Sequence, residues 1–338
     1  MSFIDNIVQD WPWPLKVNAF FAILFFFLVA ITILSLVFLR VYKNRRERNK
    51  RHYWDQIDTF LNNGLFDDTF DLAKETQRFK ASHLVTPLQK KVAIREILVY
   101  NENLKGESSE ILKNLFHDLG LDEFTISSLT DGKWYDKAKA IYVLSELQVK
   151  KAKTVALYLN DKHETVRAQA IYYYIKTADK NPLGFFGKLK KELTLWELIQ
   201  LEDCLKFVYQ GPVPDFSKWL DHQLNTVLVF SIRMIQQFDQ YEHMERLVPF
   251  LDHQDERVRA EAIKSLRKLH FEGLLDVVVP RFLTESRLVK KEIIKTVETH
   301  GDLELLRGLR PALSIKEEWQ TNLMYLRAEK RMQPTLES

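Results

Sequence analysis

The sequence predicts an all-α protein: a single N-terminal transmembrane helix followed by an α-solenoid of helix pairs. Three observations carry that prediction. Residues 17–39 form a 23-residue run without a charge. From residue 53 onward apolar positions recur at helical spacing, with no sustained strand alternation. From about residue 134, short motifs return at intervals close to 31 residues. Only 10 Gly and 10 Pro occur in 338 residues, which argues against turn-dense β folds and glycine-rich phosphate loops.

The first element is the apolar run. At about 1.5 Å rise per residue it reaches across a hydrocarbon core of roughly 30 Å. Only Asn18, Thr32 and Ser35 interrupt it, and Trp11, Trp13 and Tyr42 flank it as interfacial anchors. A cleaved signal peptide needs positive charge before the apolar core and a small-residue cleavage site after it. Here the positive residues follow the core, and Val37-Phe38-Leu39-Arg40 offers no such site. In the segment 1–16, Phe3, Ile4, Ile7 and Val8 recur at helical spacing before Trp-Pro-Trp-Pro at 11–14. That pattern fits either a short interfacial helix on the outer leaflet or a disordered tail.

Charge is concentrated next to the span. Residues 40–52 carry Arg40, Lys43, Arg45, Arg46, Arg48, Lys50 and Arg51 against Glu47, or +6. Residues 1–39 carry −1 and the remainder −2, within a total of +3. By the positive-inside rule the collar faces the cytoplasm, which places the N-terminus outside and the large C-terminal domain inside. Anionic lipid headgroups are the expected contact of the collar. A nucleic-acid role is disfavoured, because the domain beyond the collar is nearly neutral and DNA affinity rests on many Lys/Arg–phosphate contacts.

The next elements are helices with identifiable ends. Trp54, Ile57, Phe60 and Leu61 share one helical face, and the collar before them is polar enough to act as a linker. Thr86-Pro87 reads as an N-cap followed by proline at the first helical position. Residues 108–118 present Ile111, Leu112, Leu115 and Phe116, and Gly120 stops that helix. Residues 53–133 thus form a helical N-terminal part of the domain.

Residues 134–316 contain the repeats. Ala138-Lys139-Ala140-Ile141 returns as Ala168-Gln169-Ala170-Ile171, and Val166-Arg167-Ala168 as Val258-Arg259-Ala260. Val258-Arg259 becomes Val289-Lys290, and Leu220-Asp221-His222-Gln223 becomes Leu251-Asp252-His253-Gln254. Units begin near residues 136, 163, 195, 225, 256 and 287. Each reads as helix, turn, helix. The first helix carries small residues such as Ala170 and Ala262. The second carries bulky ones such as Met244, Leu247, Val248 and Leu251. One pair cannot bury its own apolar faces, whereas stacked pairs can. Residues 317–333 are expected to cap the stack through Trp319, Leu323, Leu326 and Met332, and residues 334–338 to be a disordered tail.

Asp161, Val166, Arg167, Ala170 and Ile171, with the 31-residue period, resemble the bacterial HEAT-like repeat also found in phycobilin lyases. Residues 118–141 together with the N-terminal span are similar to single-pass bacterial membrane proteins with cytoplasmic HEAT domains. The resemblance implies a protein-binding scaffold at the membrane, with a membrane-embedded partner such as a glycosyltransferase.

Catalytic chemistry finds little support. No Walker-type loop, G-x-G-x-x-G, G-x-S-x-G, H-E-x-x-H or C-x-x-C occurs, and no cofactor is expected. Cys204, the sole cysteine, lies beside Glu202 and Asp203, which would raise a thiol pKa, and reads as a packed residue. The Asp-His-Gln copies sit at one phase of the repeat, where Asp caps the next helix and His is a solvated turn residue. Arg167, Arg259 and Lys290 form a ladder expected to pair with Asp161, Asp252 or Asp255, with an anion-binding row as the alternative. The phenylalanines of Leu183-Gly184-Phe185-Phe186-Gly187 are expected to pack. A HEAT-like nucleic-acid glycosylase or a chromophore lyase or isomerase would be the enzymatic alternatives. The former would need a positive groove and the latter a ligand cleft with convergent polar groups.

Overall fold

The computed structural model describes residues 12–313 and 319–333, without the side chain of Arg46. Trp11 and the patterned residues 1–10 lie outside the described residues, as do Glu317, Glu318 and the tail 334–338. Among the described residues the chain is all-helical, with no strand. It divides into two compact units, Met1–Phe124 and Thr125–Ser338.

The first unit is dominated by α1, Trp13–Phe66, a single helix of 54 residues. Pro12 and Pro14 open it, where a missing N–H costs nothing. Its apolar half has a mean hydropathy of 3.0 and is unburied within the protein, so it is long and apolar enough to cross a membrane. The expected linker at the collar is not there: α1 runs through residues 40–52 without a break. The reason is local. Those residues include neither Gly nor Pro and are rich in Arg and Lys, both good helix formers, and Glu47 pairs with Lys50 one turn on at 2.7 Å.

The end of α1 becomes part of the core of this unit. Ile57, Phe60 and Leu61 are buried where α1 packs on α3 (Pro87–Asn103), and α4 (Glu107–Asp118) in turn packs on α3 and on α2 (Leu72–His83), while Trp54 is partly exposed. The Phe60 and Phe79 rings stack at 4.4 Å. Thr86 caps α3 in a reciprocal capping box with Gln89, and Pro87 occupies the first turn, as the sequence signal predicts. Gly120 adopts φ 67° directly after α4, a left-handed stop that a side chain would strain. The helix α5, Leu121–Asp131, carries the chain across the division between the two units.

In the second unit a series of longer helices alternates with shorter, tighter segments. The longer ones are α6 (Trp134–Glu146), α8 (Glu164–Lys176), α9 (Leu195–Asp203), α10 (Asn225–Gln237), α11 (Glu256–Lys268) and α13 (Arg287–His300). Their starts lie within two residues of the six repeat positions read from the sequence. In chain order α6 packs on α8, α10 on α11, α11 on α13, and α13 on α15 (Trp319–Met332). Ala170 and Ala262, on α8 and α11, are both fully buried in the core of this unit.

The intervening segments are not the regular second helices that the repeats suggested. They are α7 (Ala152–Ala156), α12 (Leu274–Val278), α14 (Leu303–Gly308) and a set of 3₁₀ turns, the longest being Tyr241–Asp252. Pro249, Pro280 and Pro311 recur every 31 residues, each inside or beside such a 3₁₀ turn. Proline has no N–H to donate to a carbonyl four residues back, so each segment tightens or ends there.

The final helix α15 presents a different face from the expected one. Thr321, Tyr325 and Ala328 are buried against the body, whereas Trp319, Leu323 and Leu326 are exposed. A buried set at i, i+4 and i+7 is one helical stripe; Met332 continues it and packs on the core as expected, whereas Trp319, Leu323 and Leu326 lie on the neighbouring stripe.

Three longer helices end in a residue with left-handed backbone: Gln148 (φ 51°), Asp239 (φ 51°) and His270 (φ 59°). Each is followed by a bond back to the last turn, Val149 N–H to Leu144, Gln240 to Ile235 and Phe271 to Leu266, which is the Schellman arrangement. Glycine carries no Cβ penalty at such a site. Replacing Asp239 or His270 by Gly is therefore expected to stabilise the protein by about 0.5–1 kcal/mol each, read as a raised urea midpoint at unchanged slope. A lowered midpoint would refute the assigned backbone.

Candidate functional site

The exposed sides of the longer helices form a groove of about 490 Å³ in the second unit. Leu195 and Leu198 come from α9, and Val229 and Arg233 from α10. Arg257, Ala260, Glu261 and Lys264 come from α11, and Leu288, Glu292 and Lys295 from α13. Apart from the adjacent Ala260 and Glu261, neighbouring positions within each helix are three or four residues apart, so they share a face. Between α11 and α13 they are 31 apart: Arg257 and Leu288, Glu261 and Glu292, Lys264 and Lys295.

The floor is a lattice of paired charges. Glu261 accepts two bonds from the Arg233 guanidinium, at 3.1 and 3.0 Å, and one from Lys264 at 2.9 Å. Glu292 pairs with Arg267 at 2.9 Å and with Lys295 at 2.6 Å. The same logic continues toward α8: Gln237 donates to Glu202 at 2.8 Å, which also holds Lys206 at 2.6 Å. Burial alone would raise the Glu261 carboxyl, but Arg233 and Lys264 outweigh it and hold it below the usual range. The walls are apolar, with Leu195 exposed at one end and Leu288 at the other.

A second cleft of about 240 Å³ lies between α8 and α9, lined by Ala168, Gln169, Tyr172, Gln200, Asp203 and Cys204. Burial, assisted by Asp203 and opposed by Lys176, pushes the Cys204 thiol up to about 11. That shift favours the protonated thiol over the reactive thiolate at neutral pH. Phe185 and Phe186 are fully buried in the core of the unit.

The ladder residues are engaged, with partners other than those expected. Arg167 donates Nε to Glu197 at 2.8 Å and Nη1 to the backbone carbonyl of Asp161 at 3.2 Å. Arg259 binds Glu285 through Nε and Nη2, and the carbonyls of His253 and Gln254 through Nη1. The acid is thus a glutamate from the following segment. Asp161, Asp252 and Asp255 are committed elsewhere: Asp161 to the His163 N–H, Asp252 to Arg281 at 2.6 Å, and Asp255 to Arg257 at 2.6 Å and Asn225 at 2.8 Å. Asp161 satisfies its own turn, while Asp252 and Asp255 are taken by Arg281 and by Arg257 with Asn225, which leaves the ladder arginines to glutamates. Lys290 is buried with Nζ 5.6 Å above the Phe282 ring.

The Asp-His-Gln turns also reverse the expected roles. His222 Nδ1 accepts the Leu224 N–H and His253 Nδ1 accepts the Asp255 N–H, both at 3.0 Å. His222 Nε2 faces the Phe186 carbonyl at 3.2 Å, which fixes the tautomer with the proton on Nε2. The imidazoles cap backbone, and Asp161 does the same at the equivalent place in its repeat. Among the described residues no group of three or more His, Cys, Asp or Glu is placed to hold a metal ion.

Arg40, Lys43, Arg45, Arg48 and Arg51 project from α1 into solvent, with Lys50 half-buried. Trp13 and Tyr42 are exposed at the two ends of the apolar run.

Charge pairing in this unit depends on acid. Asp255 is held down to about 2, first by its bonds from Arg257 and then by Asn225, and Glu261 is also lowered. A carboxylate depressed on folding contributes stability that is complete above its unfolded value, about 4, and is lost as pH falls through the folded value. The second unit is therefore expected to lose stability between about pH 4 and 2. Asp255→Asn keeps a helix cap but removes the charge, and should flatten part of that loss in urea titrations at stepped pH. An unchanged slope would exclude Asp255 as a contributor.

No family model and no curated protein matches the chain. Among solved structures, a computationally designed self-assembling cyclic protein homo-oligomer is similar at 13% identity over 86% of this chain and 96% of that one, with a TM-score of 0.15. That score assigns no shared fold.

Proposed function

We propose that this chain is a membrane-anchored scaffold. In this reading α1 crosses the bilayer with its N-terminus outside, and residues 134–316 are a cytoplasmic HEAT-like solenoid that binds another protein. The groove across α9, α10, α11 and α13 carries the proposal. Its apolar walls suit the non-polar side of a peptide segment. Its paired charges can exchange one partner for another without leaving a buried ion alone. A partner held in the same membrane meets the groove at high effective concentration, so a modest contact suffices. A membrane-embedded glycosyltransferase is the first partner to test.

Two experiments decide it. Photo-crosslinking residues placed at Leu195 and Leu288 in the full chain, followed by mass spectrometry, should capture one membrane protein at both sites. Capture of none, or of unrelated soluble proteins, would defeat the groove. Orientation is tested by reporters fused after Ser338. A cytoplasm-dependent reporter should be active there and a periplasm-dependent one silent. Neutralising Arg45, Arg46 and Arg48 together should loosen that preference. The opposite reporter pattern would refute the topology.

A further inference from the structure

Residues 148–191 hold ten Lys or Arg against only Asp161, Glu164 and Asp179, a net +7 inside a 53–338 region whose total is −2. Arg167 and Lys176 are spent on Glu197 and Glu146. Lys151, Lys153, Lys188, Lys190 and Lys191 are exposed, and no carboxylate lies within ion-pair distance of them among the described residues.

The fold gathers these lysines on one surface, on the side of the short segments. Tyr174 is the first clasp: its hydroxyl donates to the Ala152 carbonyl at 2.7 Å, and Lys188 Nζ lies 3.2 Å from the same oxygen and 5.2 Å from the ring. The turn bearing Lys151 and Lys153 therefore meets Lys188. Asn160 is the second clasp. Its Nδ2 donates to the Lys188 carbonyl, its Oδ1 accepts the Lys190 N–H, and its own carbonyl accepts from Lys191 Nζ at 3.3 Å. Between the clasps, on the segment that joins them, stands Leu157 with 77% of its surface in water. An apolar side chain this exposed, on the segment between lysines that no carboxylate neutralises among the described residues, contributes little packing within the unit.

We propose that this surface docks on an anionic lipid bilayer, with the lysines at the headgroups and Leu157 entering the interface. The proposal rests on α1 being the membrane span, which keeps a bilayer within reach; it does not depend on the protein partner. Positive charge without sequence-reading geometry suits a diffuse negative surface, and the exposed leucine suits a surface with an apolar layer beneath its charge. A nucleic acid would use the lysines and leave Leu157 in water.

The test uses the full chain reconstituted in vesicles, with Cys204→Ser to remove the native thiol and an environment-sensitive fluorophore on Leu157→Cys. Vesicles are phosphatidylcholine alone, or phosphatidylcholine with about one-third phosphatidylglycerol. The expected result is a blue shift and quenching by a lipid-borne quencher in the anionic vesicles only, abolished at roughly 1 M salt. Replacing Lys153, Lys188 and Lys191 by Gln should reduce the docked-to-free ratio about a hundredfold, near fivefold per lysine. The same change at Lys218, Lys268 and Lys330 should leave it unaltered, and circular dichroism should show equal helicity throughout. A label on Phe27→Cys separates the two readings. Quenching at Phe27 in both vesicles with none at Leu157 overturns the docking and keeps the span. Quenching at neither overturns both. A response at Leu157 in neutral vesicles on adding RNA or inorganic phosphate would reassign the surface and overturn the lipid proposal.

Discussion

Ala262→Asp should unfold the second unit or cost it about 3–5 kcal/mol. Ala262 is fully buried in α11, the helix packed against both α10 and α13. A carboxylate there replaces a buried methyl group, finds the nearest cations of its own helix, Arg259 and Lys264, already held by Glu285 and Glu261, and gains volume that the core lacks. Ala170, equally buried in α8, should respond alike. Urea titration followed by circular dichroism measures the loss, and Ala262→Ser sets the scale for a small polar change. If Ala262→Asp retained wild-type stability, the packing of α11 between its neighbours would be wrong.

Glu292→Ala should be nearly as damaging, at about 3–5 kcal/mol, for a different reason. Arg267 is buried, and Glu292 Oε2 is its carboxylate partner at 2.9 Å. Its remaining contacts are the Glu292 carbonyl at 3.0 Å and the Thr296 hydroxyl at 3.4 Å. Truncating the acid leaves a guanidinium buried without compensating charge. Replacing both partners by apolar residues, Arg267→Met with Glu292→Leu, removes that penalty and should recover most of the loss. A double variant as unstable as Glu292→Ala would show that the cost lies in packing rather than charge.

The legible parts of the fold were those written in local chemistry. Thr86-Pro87 announced α3 through a cap and a fixed φ, and Gly120 announced the end of α4. The repeat phase located the longer helices because small and apolar residues must return to the same face in each. The charge density of the collar suggests a linker, but Arg and Lys are good helix formers and α1 runs through it unbroken. The short segments are legible only through Pro249, Pro280 and Pro311, whose 31-residue interval puts a helix-breaking residue at one phase of each repeat. The exposed face of α15 was missed because two apolar stripes lie side by side on that helix, and sequence does not say which one meets the body.

The candidate site was less legible, because its chemistry is made between repeats. Arg233 meets Glu261 across 28 residues and Arg259 meets Glu285 across 26, and no local spacing records either pair. The imidazole caps at His222 and His253 depend on ring orientation, which composition does not reveal. The lysine surface was visible only as scattered charges until Tyr174 and Asn160 tied its turns together.

The unbroken passage of α1 from its apolar half into a packed core has a mechanical consequence. A flexible tether would let the attached unit swing over a hemisphere. A helix instead fixes a stand-off, roughly 25 Å for residues 40–56 ahead of the buried Ile57, and an azimuth. Each residue of that shaft turns the attached unit by about 100° and lifts it by about 1.5 Å. The length of the shaft therefore sets a compass bearing of the first unit about the apolar half as well as its distance from it, both chosen by residue count.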